Sequence, residues 1–481
     1  MRTHDWDTLL DGARRDALRF LRGLPSRGIQ PAGTLDELRL GLGGPLPDGP
    51  SDPTTVVADL ARAAEPGLLA TTSGRFFGYV IGGALPAAVG AEWLTAAWDQ
   101  CPGFHALSPA AAVAEEAAAT WLLDLLGLPP HASVGFVTGT QMAHFAGLAA
   151  GRNAVLRRAG WDVETDGLAG APPLTVIAGR ERHATLDRAL RFLGVGTASV
   201  REVEADAQGR MRPDILAREL QAIPGPVIVC AQVGNINTGA FDPVGVICDL
   251  AHQRGAWVHV DGAFGLWAAA SPSLRHHTSG VERADSWATD AHKWLNVTYD
   301  SGIVVCAHPE AHRAAMTAVT GGASYFPQVA GKERDPEDWN PELSRRARGF
   351  ALWAVLRSLG RQGVADLVDR CCNLAGRFAA ALAGTIGVSV LNDVVLNQVL
   401  VRFGDDDDLT RRVIAAVQQD GTCWMGGATW RGMQVMRISV SNWSTDEEDV
   451  DRSVEVILSC YARERRTLVS GPALPESGDG K

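Results

Sequence analysis

Lys293 lies in the segment ADSWATDAHKWLN, between two strand-like runs. It is one of three lysines, with Lys332 and Lys481, among 44 basic residues. Elsewhere the chain uses arginine, which stays protonated and cannot act as an amine nucleophile. A lysine kept against that bias is a candidate for amine chemistry, set against the ordinary reading of a surface charge. Asp261 closes the run AWVHVD and is followed by GAFG. Ligands of open α/β sheets gather at the carboxyl ends of strands, so an aspartate there can meet one at close range. The competing reading is a helix N-cap. Lys293 follows Asp261 by 32 residues, so two strand ends of one sheet can present a carboxylate and an amine to the same crevice.

That pair suits pyridoxal 5'-phosphate. A lysine forms a Schiff base with the aldehyde carbon, and a carboxylate pairs with the pyridinium nitrogen and keeps the ring able to accept electrons. The phosphate needs N–H groups and hydroxyls, which a Gly-Thr turn opening a helix supplies. Thr138-Gly139-Thr140-Gln141-Met142 is such a turn, between a strand and a helix. His292, beside the lysine, is placed to donate to the same phosphate. His183, in GRERHATLDRAL after the strand TVIAG, is placed to stack on the flat ring. Taken singly, each histidine reads equally well as a surface or satisfied residue.

The elements that must position these residues follow from periodicity. SVGFVTGT, TVIAG, PVIVCAQVG, AWVHVDGAFG, DSWATDA and SGIVVCA are short β-rich runs, mostly continuously apolar. Helical stretches separate several of them, so the pattern predicts a largely parallel sheet covered by helices. Residues 1–75 read as a helical arm of two amphipathic helices with a Gly/Pro-rich break. Residues 76–326 form the expected large, cofactor-binding domain. Residues 327–481 form a smaller domain of helices over 349–360, 364–383 and 409–420, with antiparallel-type strands in VVLNQVLVRF and MQVMRISVSN. Its first stretch, to residue 348, is polar and aperiodic and reads as a loop; its last dozen residues read as a disordered tail.

Composition excludes several classes. The 481 residues are 46% hydrophobic and 21% charged, enough to bury a large core. The formal charge of −11 gives no electrostatic footprint for nucleic acid or an anionic membrane. No apolar run reaches membrane-spanning length, and the charged start lacks a signal core, so a cytoplasmic location is expected. The eight cysteines form no CxxC and read as buried free thiols of a reducing compartment. A zinc site from His276, His277 and His292 lacks a recognised ligand spacing, so no metal is expected.

The chain order of Gly-Thr turn, histidine, strand-end aspartate and His-Lys resembles the group II pyridoxal-phosphate decarboxylases. These are the aromatic L-amino acid, glutamate and 2,4-diaminobutyrate decarboxylases. The residues carrying the resemblance are RFFGYV, HALSPAAAVAEEAAATWL, HVDGAFG, ADSWATDAHKWLN and NPELSRRARGFALWAVLRSLG, within residues 65–460. The resemblance implies a fold-type I, aspartate aminotransferase-like α/β fold and a homodimer with active sites shared between subunits. It makes Lys293 the Schiff-base lysine and Asp261 the pyridinium partner. It puts Ala263 under the ring, His183 above it, His292 and the Thr140, Gln141 and Met142 turn at the phosphate, and Asn237 near the ring substituents. It makes Tyr79, Phe104 and His105 substrate-pocket residues. Tyr325, in TGGASYF, would be the loop tyrosine that protonates the substrate carbon, whereas Phe326 at that position would imply aldehyde formation. Where relatives carry small or hydroxyl residues and Asn, this chain has Gln141, Met142 and His144. His144 would lie on the phosphate side or on the helix surface.

The expected activity is decarboxylation of an L-amino acid, aromatic or apolar, to the amine and CO2. The alternative keeps the cofactor but makes an aldehyde, or cleaves or forms a carbon–carbon bond. A non-catalytic relative is a third reading, which the retained lysine opposes. Arg437 in MRISVSN is a conceivable carboxylate or structural partner, and Trp98, Trp267 and Trp294 fit an aromatic pocket or, as readily, core packing.

Overall fold

Strands that are apolar along their whole length must be covered on both faces. The computed structural model describes residues 5–317 and 334–470, with side chains to 466. Its main sheet has seven strands: β1 (Ser133–Val137), β2 (Thr175–Gly179), β3 (Val200–Val203), β4 (Val227–Gln232), β5 (Trp257–Asp261), β6 (Ser286–Asp290) and β7 (Gly302–Cys306). Their order is β1-β7-β6-β5-β4-β2-β3. The pairs β3–β2, β2–β4, β4–β5 and β5–β6 are parallel, and β7 runs antiparallel to both β6 and β1. Because β7 is reversed against both neighbours, β1 points the same way as β6. The carboxyl ends of β1, β2, β5 and β6 therefore open onto one edge, the edge where ligands collect in such sheets.

The helix Thr140–Arg158 leaves β1 at that edge and runs back across the sheet, touching β4 to β7. Its buried face is largely Ala and Gly, which allows a close approach. The other face of the sheet buries Trp267, Trp287 and Trp294. Trp267 and Trp294 are thus core residues and not the pocket lining proposed for them. Trp98 is half exposed and meets Phe350 edge to face.

The second sheet is antiparallel, in the order β10 (Gly426–Trp430), β11 (Met433–Ser439), β9 (Gln398–Phe403), β8 (Val388–Val390). The helix Gly349–Ala383 packs against it and against the N-terminal helices of the large sheet. Gly360 has φ 59°, which breaks that helix into the two segments the sequence predicts. Before residue 75 there are three helices, Trp6–Gly23, Leu35–Leu42 and Pro53–Ala64, where two were expected. The segment before the Gly/Pro-rich break forms two helices, parted at residues 24–34, and the helix after the break begins at a Pro at N1 following the capping residue Asp52.

Candidate active site

The sheet edge brings four of the sequence-nominated residues together. Asp261 ends β5, and Lys293 follows the end of β6. Thr140 opens a helix after β1, and His183 caps a helix after β2. The Lys293 ammonium lies 2.9 Å from Asp290 Oδ2. The Thr140 N–H donates to the other carboxylate oxygen of Asp290 at 2.6 Å. Asp290 is buried; burial raises its carboxyl pKa, but Lys293 foremost and then His292 outweigh that and hold it low.

The backbone around Lys293 is pinned from outside the large sheet. Asn296 is fully buried; its Oδ1 accepts from Gly83 N–H and Trp443 N–H, and its Nδ2 donates to Trp294 O and Ser441 O. Gly82 abuts the Lys293 carbonyl so closely that a Cβ would collide with it.

Asp261 is buried and accepts the Ala263 N–H at 3.1 Å. Burial raises its pKa, yet His144, His183 and Lys293 outweigh that and hold the carboxyl below the ordinary carboxylate range. His183 is open to the cleft, with Nδ1 tied to the Thr185 hydroxyl at 2.7 Å. The protein packed around its ring lowers its pKa; Asp261 opposes, and Lys293, His144 and Arg437 reinforce. His292 is buried beside Gly139, its ring tilted 30° against that of Tyr299 at 4.3 Å, with Nδ1 accepting the Ser301 N–H. Its pKa is lowered, first by burial.

The remaining nominated residues fall into two groups. Gln141 presents its side-chain oxygen to Arg188 at 3.0 Å, and its N–H has no backbone acceptor among the described residues. Met142 does not supply the donor expected of it: its N–H goes to Gly139 O, and its side chain packs on a small apolar cluster. Tyr79 has φ 56°, is exposed, and lies against Trp424. Phe104 is buried, and the His105 N–H donates to Asp335. Asn237 sits in the loop after β4, its N–H on Asn235 Oδ1. Tyr325 and Phe326 lie outside the described residues.

His144 is neither on the helix surface nor at the phosphate turn: it is fully buried, one turn into the helix, with Nε2 3.5 Å from Asp261 Oδ2. The pattern had no signal for Asp290, because the carboxylate at the end of SWATD looks like any strand terminus. The Arg437 guanidinium, on β11, makes no ion pair or side-chain hydrogen bond among the described residues. Burial lowers its pKa.

A family profile described as "Pyridoxal-dependent decarboxylase conserved domain" matches residues 37–403. The chain belongs to that family. It is 29% identical over 465 residues to tryptophan decarboxylase 1 of Oryza sativa subsp. japonica, covering 89% of this chain and 87% of the relative. It is 28% identical over 443 residues to a phenylacetaldehyde synthase of a Rosa hybrid cultivar, 85% of each chain. The crystal structure of Oryza sativa TDC with PLP and tryptamine superposes with a TM-score of 0.89 at 25% identity, over 96% of this chain and 99% of that one. This decarboxylase has the fold-type I architecture and is a pyridoxal-phosphate-dependent carboxy-lyase acting on an amino acid.

The residues present fit that cofactor. Buried polar atoms are nearly always partnered, yet Thr140 Oγ1, at the nominated phosphate turn, and Asn237 Oδ1, after β4, are buried without a hydrogen bond.

Proposed function

We propose that this decarboxylase converts an aromatic L-amino acid to its amine and CO2, with Lys293 as the attachment point. The observation that carries the site assignment is the convergence of Lys293, Asp290, Asp261 and the Thr140 turn on one sheet edge. Pyridoxal phosphate, when bound, supplies an aldehyde for the lysine amine and a ring that takes up the electron pair left by departing CO2. Thr140 Oγ1, the Gln141 N–H and His292 hold the phosphate. Asp261 holds the proton on the ring nitrogen, which its low pKa favours. His183 presents its face to the ring, and Ala263 leaves room beneath it. Asp290 holds the lysine amine in place while it is free. Arg437, the unpaired guanidinium, holds the substrate carboxylate. Tyr79, with Trp424 behind it, gives the cleft an apolar wall suited to an aromatic side chain. Tyr325 delivers a proton to the substrate carbon.

The rice relative supports the aromatic substrate, and the rose relative supports a second reading, an aldehyde product. The deciding experiment feeds the cofactor-loaded protein a pool of amino acids and measures product mass, with Lys293→Ala as control. An amine from tryptophan, tyrosine or phenylalanine supports the reading. An aldehyde with oxygen consumption replaces it with the second.

We also propose that the enzyme is a homodimer. Leu35, Leu40, Leu42 and Leu46 of the N-terminal arm are exposed at 69%, 86%, 53% and 92%, an apolar face that a second copy would cover. No helix of the described residues is long and apolar enough to cross a membrane.

A further inference from the structure

The residues of β5 alternate faces, and Trp257, His259 and Asp261 share the face under the helix Thr140–Arg158. An interface between a helix and a sheet is ordinarily apolar. Here it carries a polar seam that runs from Trp257 to His144 and ends facing Asp261. The Trp257 Nε1–H donates to Ser286 Oγ at 2.9 Å. Ser286 Oγ lies 2.8 Å from His259 Nδ1. His259 Nε2 lies 2.9 Å from His144 Nδ1, and His144 Nε2 faces Asp261 Oδ2. Both imidazoles and Ser286 are fully buried. Gly147 makes the space: a Cβ there would lie 2.8 Å from His259 Cε1.

The direction of every proton in the seam follows from its far end. The Trp257 indole is a donor only, so Ser286 Oγ must accept from it. The Ser286 hydroxyl hydrogen then has one acceptor within reach, His259 Nδ1. With Nδ1 accepting, neutral His259 carries its hydrogen on Nε2 and donates to His144 Nδ1. His144 in turn carries its hydrogen on Nε2, aimed at Asp261. His259 fits the neutral role, since burial foremost and His144 second push its pKa down to about 3.

We propose that His144 is a positioning residue for the ring-nitrogen end of the cofactor site, its tautomer fixed by His259, Ser286 and Trp257 so that an N–H always faces Asp261. The seam keeps Asp261 an anion inside a buried site, which is the state that retains the ring proton. Other groups face Asp261 as well: His183 after β2, Lys293 after β6, and Asp242 and Cys230 from β4 and the loop beyond. The two cations-in-waiting among these are shared by any variant of the seam, so a change confined to His144 isolates its own effect. This inference rests on the cofactor reading of the site, but its first test does not.

That test is nitrogen-15 NMR of the apo protein with labelled histidine. The expected result, at about pH 8 where an imidazole is neutral, is Nε2–H with bare Nδ1 at both His144 and His259. An Nδ1–H tautomer at either ring, or a charged His259, overturns the proposal. The second test is the dissociation constant of pyridoxal phosphate by fluorescence titration at about pH 6 and 8. His144→Leu removes the N–H, lets the Asp261 pKa rise, and should weaken binding about tenfold, more at the lower pH. His144→Gln retains an N–H donor and should stay within about threefold of the parent. Equal losses in both variants, or a loss independent of pH, would show that residue 144 only fills space.

Discussion

At the scale of single residues, Asp290 joins the helix turn to the lysine. One oxygen takes the Thr140 N–H and the other the Lys293 ammonium. Asp290→Ala leaves the buried Thr140 N–H and the half-buried Lys293 ammonium without their partner, and urea denaturation of the apo protein should show a loss of about 1–3 kcal/mol. Asp285 makes a second charged knot, away from the cleft, with His252 Nε2 at 3.1 Å, His308 Nε2 at 2.7 Å and the Val258 N–H at 2.7 Å. Burial raises its carboxyl pKa, but these partners outweigh that and bring it to about 2, and the bond to Asp285 raises that of His308. A lowered carboxylate stabilises the fold above its unfolded value of 3.8 and loses that contribution as pH falls through about 2. A raised histidine stabilises fully below its unfolded value of 6.5 and loses that contribution as pH rises through its folded value. The Tm difference between the parent and Asp285→Asn should therefore be greatest between those two unfolded values and shrink above neutrality, as calorimetry across pH would show. Lys293 was legible because lysine is so rare here. His144 was not, since a lone histidine in an Ala/Gly-rich helix gives no hint of which face it occupies.

At the scale of elements, the helix Thr140–Arg158 sits close to the sheet because glycine meets the largest side chains. A Cβ at Gly151 would lie 2.9 Å from the Trp257 ring, as one at Gly147 would meet His259. Gly147→Val should cost about 1–3 kcal/mol by overpacking. Gly90, in the helix Pro86–Trp98, has nothing within 4 Å of its Cβ direction. Gly90→Ala should instead stabilise by about 0.5–1 kcal/mol, and thermal unfolding of the pair gives the contrast. The strands β1, β2 and β4 to β7 could be read from their apolar runs. β3 could not: VREV is an edge strand, half exposed and charged, so it lacks the buried-strand pattern. β8 and β10, short and partly exposed, escaped for the same reason. The break at Gly360 was legible because glycine interrupts two separate helical periodicities.

At the scale of the whole molecule, the arm's exposed leucines and the buried Arg345–Glu115 pair bear on different equilibria. Arg345 binds both Glu115 oxygens, at 2.7 and 2.8 Å, with both side chains 1% exposed. Glu115→Ala should strand the guanidinium and cost about 3–5 kcal/mol in the protomer. Leu40→Glu with Leu46→Glu should leave the protomer folded and shift light-scattering mass from two chains to one. Asn296 has a consequence of another kind. It ties the lysine loop to Gly83 on one side and to Ser441 and Trp443 on the other, across most of the polypeptide. During synthesis the first tie can form early, but the second waits until residue 443 has left the ribosome. A nascent chain stalled before that point should fail to capture pyridoxal phosphate, and one released just after it should succeed.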